Sequence, residues 1–251
     1  MARRKLIAGN WKMNPGFLEE AVGLASAVAS GASGVGEAVD LLVIPPAPFL
    51  VAVKQALGDG RVWLGGQNLS TESKGAFTGE VSGAMLRSVG ASHVLCGHSE
   101  RRQLFGESSE LVGKKVRAAL RDGLIPVLCV GETLAEREAG TTNAVVAAQL
   151  AGGLDGVSGE AGVVIAYEPV WAIGTGKVAS PEQAQDAHAF IRGWLGERWG
   201  EAGQAGTLVL YGGSVKADNA RELLSQPDVD GALVGGASLD AKGFLAIATA
   251  V

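Results

Sequence analysis

The sequence predicts an α/β fold of the (β/α)8 class: one domain over residues 1–251, a parallel eight-stranded barrel with outer helices. Three observations carry that expectation. Eight short runs are nearly continuous in Val, Ile and Leu rather than alternating, which marks strands buried on both faces, as parallel strands are. A longer amphipathic stretch follows each run, so eight units share the 251 residues at about 31 residues each, the size of a βα repeat. Run after run then leads straight into glycine, at Gly9, Gly65-Gly66, Gly97, Gly131, Gly212-Gly213 and Gly235-Gly236.

The elements follow in order. A first strand at 5–8 stops at Gly9, and a helix is expected at 17–29. The run 40–44 is followed by a helix at 49–57, and the run 62–64 by a helix at 79–89. The run 93–96 ends at Gly97, where a charged helical stretch starts at His98, ahead of a helix at 108–121 opened by Ser108-Ser109-Glu110. The run 125–130 precedes a helix at 141–150. The run 163–167 precedes a helix at 181–198, signalled by a capping Ser180, Pro181 at the first helical position and an acid, Glu182, in the first turn. The runs 207–211 and 231–234 lead to helices at 218–224 and 241–250. The loosest segment, 152–162, reads as a surface connection.

Composition narrows the function. With 47% hydrophobic and 19% charged residues, the chain can bury a large core and is not a disordered one. Glycine, 38 of 251 residues, is about twice its usual ~7% and must serve turns and close backbone approach. A net charge of −5, with Arg3-Arg4-Lys5 as the one basic run, excludes a nucleic-acid binder, which needs a basic face. The two cysteines, Cys96 and Cys129, sit in apolar runs. They read as buried inert thiols in a reducing compartment, not as a disulfide framework. No targeting segment and no run of the ~18 apolar residues that a membrane span needs is visible, so a cytoplasmic location is expected. No metal-ligand spacing, dinucleotide fingerprint or P-loop appears.

Four segments could carry chemistry, all at the carboxyl ends of strands, the edge that holds the site in parallel α/β folds. In Asn10-Trp11-Lys12, Lys12 reads either as a solvated surface lysine or, from its apolar neighbours and its place after the first strand, as a site cation. In Cys96-Gly97-His98-Ser99-Glu100, His98 falls where a helix begins; a helix N-terminus disfavours imidazolium, which suits a neutral donor. His93 reads as a packing residue and His188 lies in an outer helix. In Tyr167-Glu168-Pro169-Val170-Trp171-Ala172-Ile173-Gly174, Glu168 ends an apolar strand. Desolvation beside an apolar loop would raise its pKa and make it a better base. The loop reads as a lid over 169–177, since Val170, Trp171 and Ile173 are costly in open solvent. Finally, Gly212-Gly213-Ser214 and Gly235-Gly236 follow strands seven and eight, where barrels frequently hold phosphate through backbone N–H groups.

Taken together, Gly9-Asn10-Trp11-Lys12-Met13-Asn14, Gly97-His98-Ser99-Glu100-Arg101-Arg102, Cys129-Val130-Gly131-Glu132-Thr133, the 167–176 segment, Tyr211-Gly212-Gly213-Ser214-Val215 and Gly235-Gly236-Ala237-Ser238-Leu239 resemble the triosephosphate isomerase family, in its order and over essentially the whole chain. Gly66 before Gln67-Asn68, where the family more often has Ala, is a minor departure. The resemblance implies the TIM-barrel fold and interconversion of dihydroxyacetone phosphate and D-glyceraldehyde 3-phosphate through an enediol or enediolate, a step of glycolysis and gluconeogenesis, with no cofactor or metal. It implies Glu168 as general base, His98 as neutral hydrogen-bond donor, Lys12 as the cation facing the enediolate, and Asn10 as a substrate-positioning residue. It implies phosphate binding at Gly174, Ser214, Gly235 and Gly236. That division of labour is one for which the family itself serves as a standard example. It also implies a homodimer, through the loop 67–82 that begins at Gln67 and ends at Ser82, with Thr78 near its tip entering a pocket of the neighbour close to Asn10 and Lys12. From the residues alone, that stretch is a long loop bearing Phe77, either functional or locally packed.

Two rival readings remain at this point. An aldolase would need a Schiff-base lysine on a barrel strand, and strands six and seven hold none. A non-catalytic member would have no reason to keep Asn10, Lys12, His98 and Glu168 together.

Overall fold

The computed structural model describes residues 3–173 and 178–251. Its eight strands close into one parallel barrel in chain order: β1 (Lys5–Asn10), β2 (Val39–Ile44), β3 (Val62–Gly66), β4 (His93–Cys96), β5 (Ile125–Val130), β6 (Val164–Tyr167), β7 (Leu208–Tyr211) and β8 (Gly231–Val234). Closure is made by β1 and β8, in register from Leu6 opposite Gly231 to Gly9 opposite Val234. The expected α/β barrel is therefore the fold, and each strand lies within two residues of its expected span at either end.

Alternation along each strand divides the core in two. Leu6, Ala8, Leu42, Ile44, Val127, Cys129, Ala166 and Leu210 fill the barrel interior as one cluster. Their neighbours Ile7, Leu41, Val43, Leu128, Val130, Ile165 and Val209 belong to the larger cluster shared with the helices. Both faces are apolar, which is why the sequence shows continuous runs.

The main outer helices are α1 (Leu18–Gly31), α2 (Leu50–Leu57), α3 (Gly83–Ser88), α4 (Ser99–Phe105), α5 (Ser109–Arg121), α6 (Leu134–Glu138), α7 (Thr142–Gly153), α8 (Pro181–Gly206), α9 (Ala220–Leu224) and α10 (Ala241–Thr249). The start signals hold: Ser180 and Gln183 form a capping box at α8, and Ser108 caps α5. Two expectations are corrected. The helix expected at 79–89 begins only at Gly83, because Gly79 has φ 92° and Ser82 takes the cap, accepting the Met85 N–H. The helix expected to end at 198 continues to Gly206, broken at Gly200 (φ 72°). The segment 152–162 is a surface connection as expected, with Asp155, Gly156, Ser158, Glu160 and Gly162 exposed; Leu154 and Val157 anchor it, buried and with their carbonyls accepting from Arg198 and Trp199.

The basic run has a structural use at the opposite end of the barrel from the site. Arg3 pairs with Asp230, Arg4 with Asp40, and the Lys5 ammonium donates to the carbonyls of Leu224 and Val229. Both thiols are buried and unbridged. Burial pushes Cys96 up to about 12 and Cys129 well above the usual thiol range, so neither is a thiolate at neutral pH. Among the described residues no helix is long and apolar enough to cross a membrane.

Candidate active site

The strand ends converge on a cavity of about 470 Å³. Every described residue expected at the site lines it: Asn10, Lys12, His98, Glu168, Ser214, Gly235 and Gly236. Gly174 lies outside the described residues, as do the last positions of the expected lid, 174–177.

Glu168 follows β6 directly and is 2% exposed. Its backbone N–H continues the ladder to Val130 O (2.7 Å). Its Oε2 accepts the Ser99 N–H (2.9 Å), and Oε1 accepts the Ser99 hydroxyl (3.2 Å). The same Oε1 lies 2.9 Å from His98 Nε2. Burial opposes the anion, as the sequence suggested, but the His98 ring and the Ser99 bonds outweigh it. The carboxyl is therefore held below the usual range, which corrects the expected rise.

His98 caps α4, with Nδ1 accepting the Glu100 N–H (3.2 Å). An accepting Nδ1 leaves the ring proton on Nε2, aimed at Glu168. Burial and Lys12 resist a second proton, whereas the carboxylates of Glu168 and Glu100 favour one, and the net direction is upward. Most of that upward influence comes from Glu168 in its present position.

Lys12 is the one described non-glycine residue with positive φ (54°). Such a conformation costs about 1–2 kcal/mol and needs outside support. The support is visible. The Asn10 side-chain oxygen accepts the Lys12 N–H (3.0 Å), and Gln67 donates its amide to Lys12 O (2.6 Å) and Ile44 O (3.0 Å). The turn aims the ammonium at Glu100 Oε1 (2.6 Å) and over Gly235, where a β-carbon would meet Lys12 Cε at 3.5 Å.

The turns after β7 and β8 form the next part of the wall, and the first of them packs directly against Glu168. Asn219 braces the first by donating to Ser214 O (3.2 Å) and accepting the Lys216 N–H (2.8 Å). Glycine is required here by contact: a β-carbon on Gly212 would lie 2.9 Å from Glu168 Cγ, and one on Gly213 would overlap the Tyr211 hydroxyl.

The start of the segment expected to form a lid rests on Glu132, which is fully buried. Its carboxylate accepts from Tyr167 OH (3.0 Å), Trp171 Nε1 (2.9 Å) and Arg137 (3.2 Å), and its carbonyl accepts the Val170 N–H (3.1 Å). Glu132, Gln67, Ser99, Glu100, Asn219 and the cavity residue Lys216 had no role assigned from the sequence. Ser99, Glu100 and Glu132 stood in quoted motifs, and Gln67 opened the quoted loop 67–82. Asn219 and Lys216 stood in none; their bonds to each other and to Ser214 close a local turn that no quoted motif covers.

A buried carboxylate, an imidazole and an ammonium at the C-terminal mouth of a parallel barrel, facing glycine turns, define an enzyme class: barrel enzymes that move protons on a small anionic substrate. Comparison with known proteins narrows this. The model of the triosephosphate isomerase family matches residues 5–251. Proteins named triosephosphate isomerase from Magnetococcus marinus (54% identical; 98% of this chain and 97% of that one) and Stenotrophomonas maltophilia strain R551-3 (55%; 99% and 98%) align along nearly their whole length. One from Citrifermentans bemidjiense is 52% identical, with 98% of each chain covered. The chain belongs to the triosephosphate isomerase family.

Proposed function

We propose that Glu168, His98 and Lys12 carry the reaction of this isomerase, the interconversion of dihydroxyacetone phosphate and D-glyceraldehyde 3-phosphate. The observation that supports this most is the convergence of the three side chains with two glycine turns in one cavity. Glu168 takes a proton from the hydroxymethyl carbon of the ketone, and the electron pair moves to the carbonyl oxygen. The resulting enediolate oxygen is met by the Nε2–H of His98 and the ammonium of Lys12. Return of the proton to the neighbouring carbon, with the hydroxyl proton shifted between the oxygens, gives the aldehyde. No electrons enter or leave, so the reaction balances without a redox partner.

Glu168 must leave its Ser99 and His98 partners to reach carbon. That movement removes the chief upward influence on His98, and burial with Lys12 then holds the ring neutral. Its N–H can serve as an electrophile without giving up its proton. Donors preorganised for a developing oxyanion are each worth about 3–4 kcal/mol.

Ser214, Gly235 and Gly236, with Gly174 from the lid, bind the phosphate in this reading. The lid over 169–177 holds the enediolate away from water, a closure for which this family is itself a standard example. Lys12→Ala is expected to lower kcat by about 10²-fold and raise KM, since the ammonium meets both enediolate and phosphate. Steady-state kinetics with glyceraldehyde 3-phosphate measures both, and unchanged values would remove the charge role.

The reading includes a homodimer in the cytoplasm. The loop 67–82 presents Phe77 at 48% exposure; Met13 (92%) stands exposed after β1, and Leu104 (75%) and Phe105 (66%) at the end of α4. Large apolar side chains grouped in this way favour a protein partner, and a second copy bringing Thr78 toward Asn10 and Lys12 would cover them. Sedimentation at micromolar concentration should give a species of twice the chain mass; a single-chain species would overturn the dimer. Unbridged Cys96 and Cys129 suit a reducing compartment.

A further inference from the structure

We infer that Gln149, on the outer helix α7, is a positioning residue for the base: it fixes the backbone surface against which Glu168 is seated. Its side-chain amide grips both backbone groups of one residue. Oε1 accepts the Gly131 N–H (2.7 Å), and Nε2 donates to Gly131 O (3.0 Å). Gly131 is the first residue beyond β5, so the regular ladder has ended there and its polar groups need another partner. A planar primary amide supplies one donor and one acceptor side by side, the same pair that an adjoining strand would present.

Gly131 in turn lies flush against the base. A β-carbon there would overlap the Glu168 carbonyl oxygen and lie 2.6 Å from its carbonyl carbon. The contact continues on both sides, where Val130 O accepts the Glu168 N–H and Glu132 O accepts the Val170 N–H. A displacement of Gly131 is therefore transmitted to the Glu168 peptide without a flexible side chain between them. Behind the base is a second, smaller cavity of about 110 Å³, lined by Ser99, Cys129, Gly131, Gln149, Glu168 and Val170 among others. Gln149 is the lining side chain that holds Gly131 at the edge of this space. Without it the 131–133 segment can relax into the void, and the carboxylate loses its aim.

The inference rests on Glu168 as the base, and its test is separable from that reading. In Gln149→Leu, which keeps the bulk and removes both hydrogen bonds, kcat is expected to fall about 10-fold, since small misplacements of reacting groups are costly. KM should stay within twofold, because the phosphate turns after β7 and β8 are untouched. The primary deuterium isotope effect on kcat, measured with substrate labelled at the transferred position, should rise as proton abstraction becomes slower. Gln149→Glu keeps the acceptor for Gly131 N–H but sets a carboxylate against Gly131 O, and should fall between wild type and the leucine variant. If the leucine variant does not fold, the glutamate variant decides by the same readouts. A variant with lowered thermal stability but wild-type kcat and isotope effect would make Gln149 merely structural and overturn the inference, as would a rise in KM with unchanged kcat. An active Glu168→Gln enzyme would instead remove the base itself.

Discussion

Glu168→Gln is expected to reduce kcat by about 10³-fold or more, the upper part of the range for a positioned general base, while affinity for a non-reacting phosphate analogue stays within about twofold. The amide keeps the size of the side chain and can still meet the Ser99 hydroxyl and the His98 ring, which surround it at 3.2 and 2.9 Å. What it cannot do is accept a proton from carbon. A larger part of the cavity wall, from Ser214 to Gly236, is untouched by the change, so phosphate grip and chemistry should separate. Kinetics and analogue titration on the same preparation check both halves. Near-normal turnover would mean that another group abstracts the proton.

The second large effect concerns stability in acid. His93 and His188 are both buried, and burial lowers each to about 4 from an ordinary value near 6.5. His93 stacks on Trp63 at 5.1 Å between centroids, and His188 packs edge-on to Tyr167 at 5.9 Å. The unfolded chain binds these two protons below pH 6.5 and the folded chain does not. Stability is therefore fully present above pH 6.5 and is lost as pH falls toward 4. Each site is worth about 3 kcal/mol over that window, a large share of the ~5–15 kcal/mol typical of a domain. His98 has the opposite sign: its raised value stabilises the fold below 6.5 and ceases to do so as pH rises past its folded pKa. Glu107 and Glu168, both held low, add further loss only below the ordinary carboxylate range. Urea unfolding at fixed protein concentration, at pH 7, 5.5 and 4.5, should show a steep decline. The slope should lessen by about half in His188→Gln if that variant folds. A flat profile from pH 7 to 4.5 would contradict the burial argument.

The barrel was legible because its signals are local and repeated. Continuous apolar runs in 40–44 and 125–130 report two-sided burial, and Ser180-Pro181-Glu182 announces a helix wherever it stands. The convergence of the candidate residues on one cavity was legible for the same reason, since residues at strand ends share one rim once the barrel closes. What the sequence could not carry was the balance of opposed effects. Burial of Glu168 was readable from its apolar strand, but its outcome depends on Ser99 and His98, 69 and 70 positions away, and they reverse the direction. The support of Lys12 by Gln67 and of Gly131 by Gln149 is invisible for a related reason: a lone glutamine carries no pattern. The α8 break at Gly200 was missed because a glycine within a helical stretch signals an end as readily as a kink.

The most direct test of the site is a crystal structure of the protein with a small phosphorylated carboxylate that mimics the enediolate. Its phosphate should lie against Ser214, Gly235 and Gly236. Its carboxylate should lie between His98 Nε2 and the Lys12 ammonium, with Glu168 released from Ser99 and turned toward the ligand carbons. A ligand seated elsewhere, or one bound in the cavity while Lys12 and Glu168 both face away from it, would contradict the account.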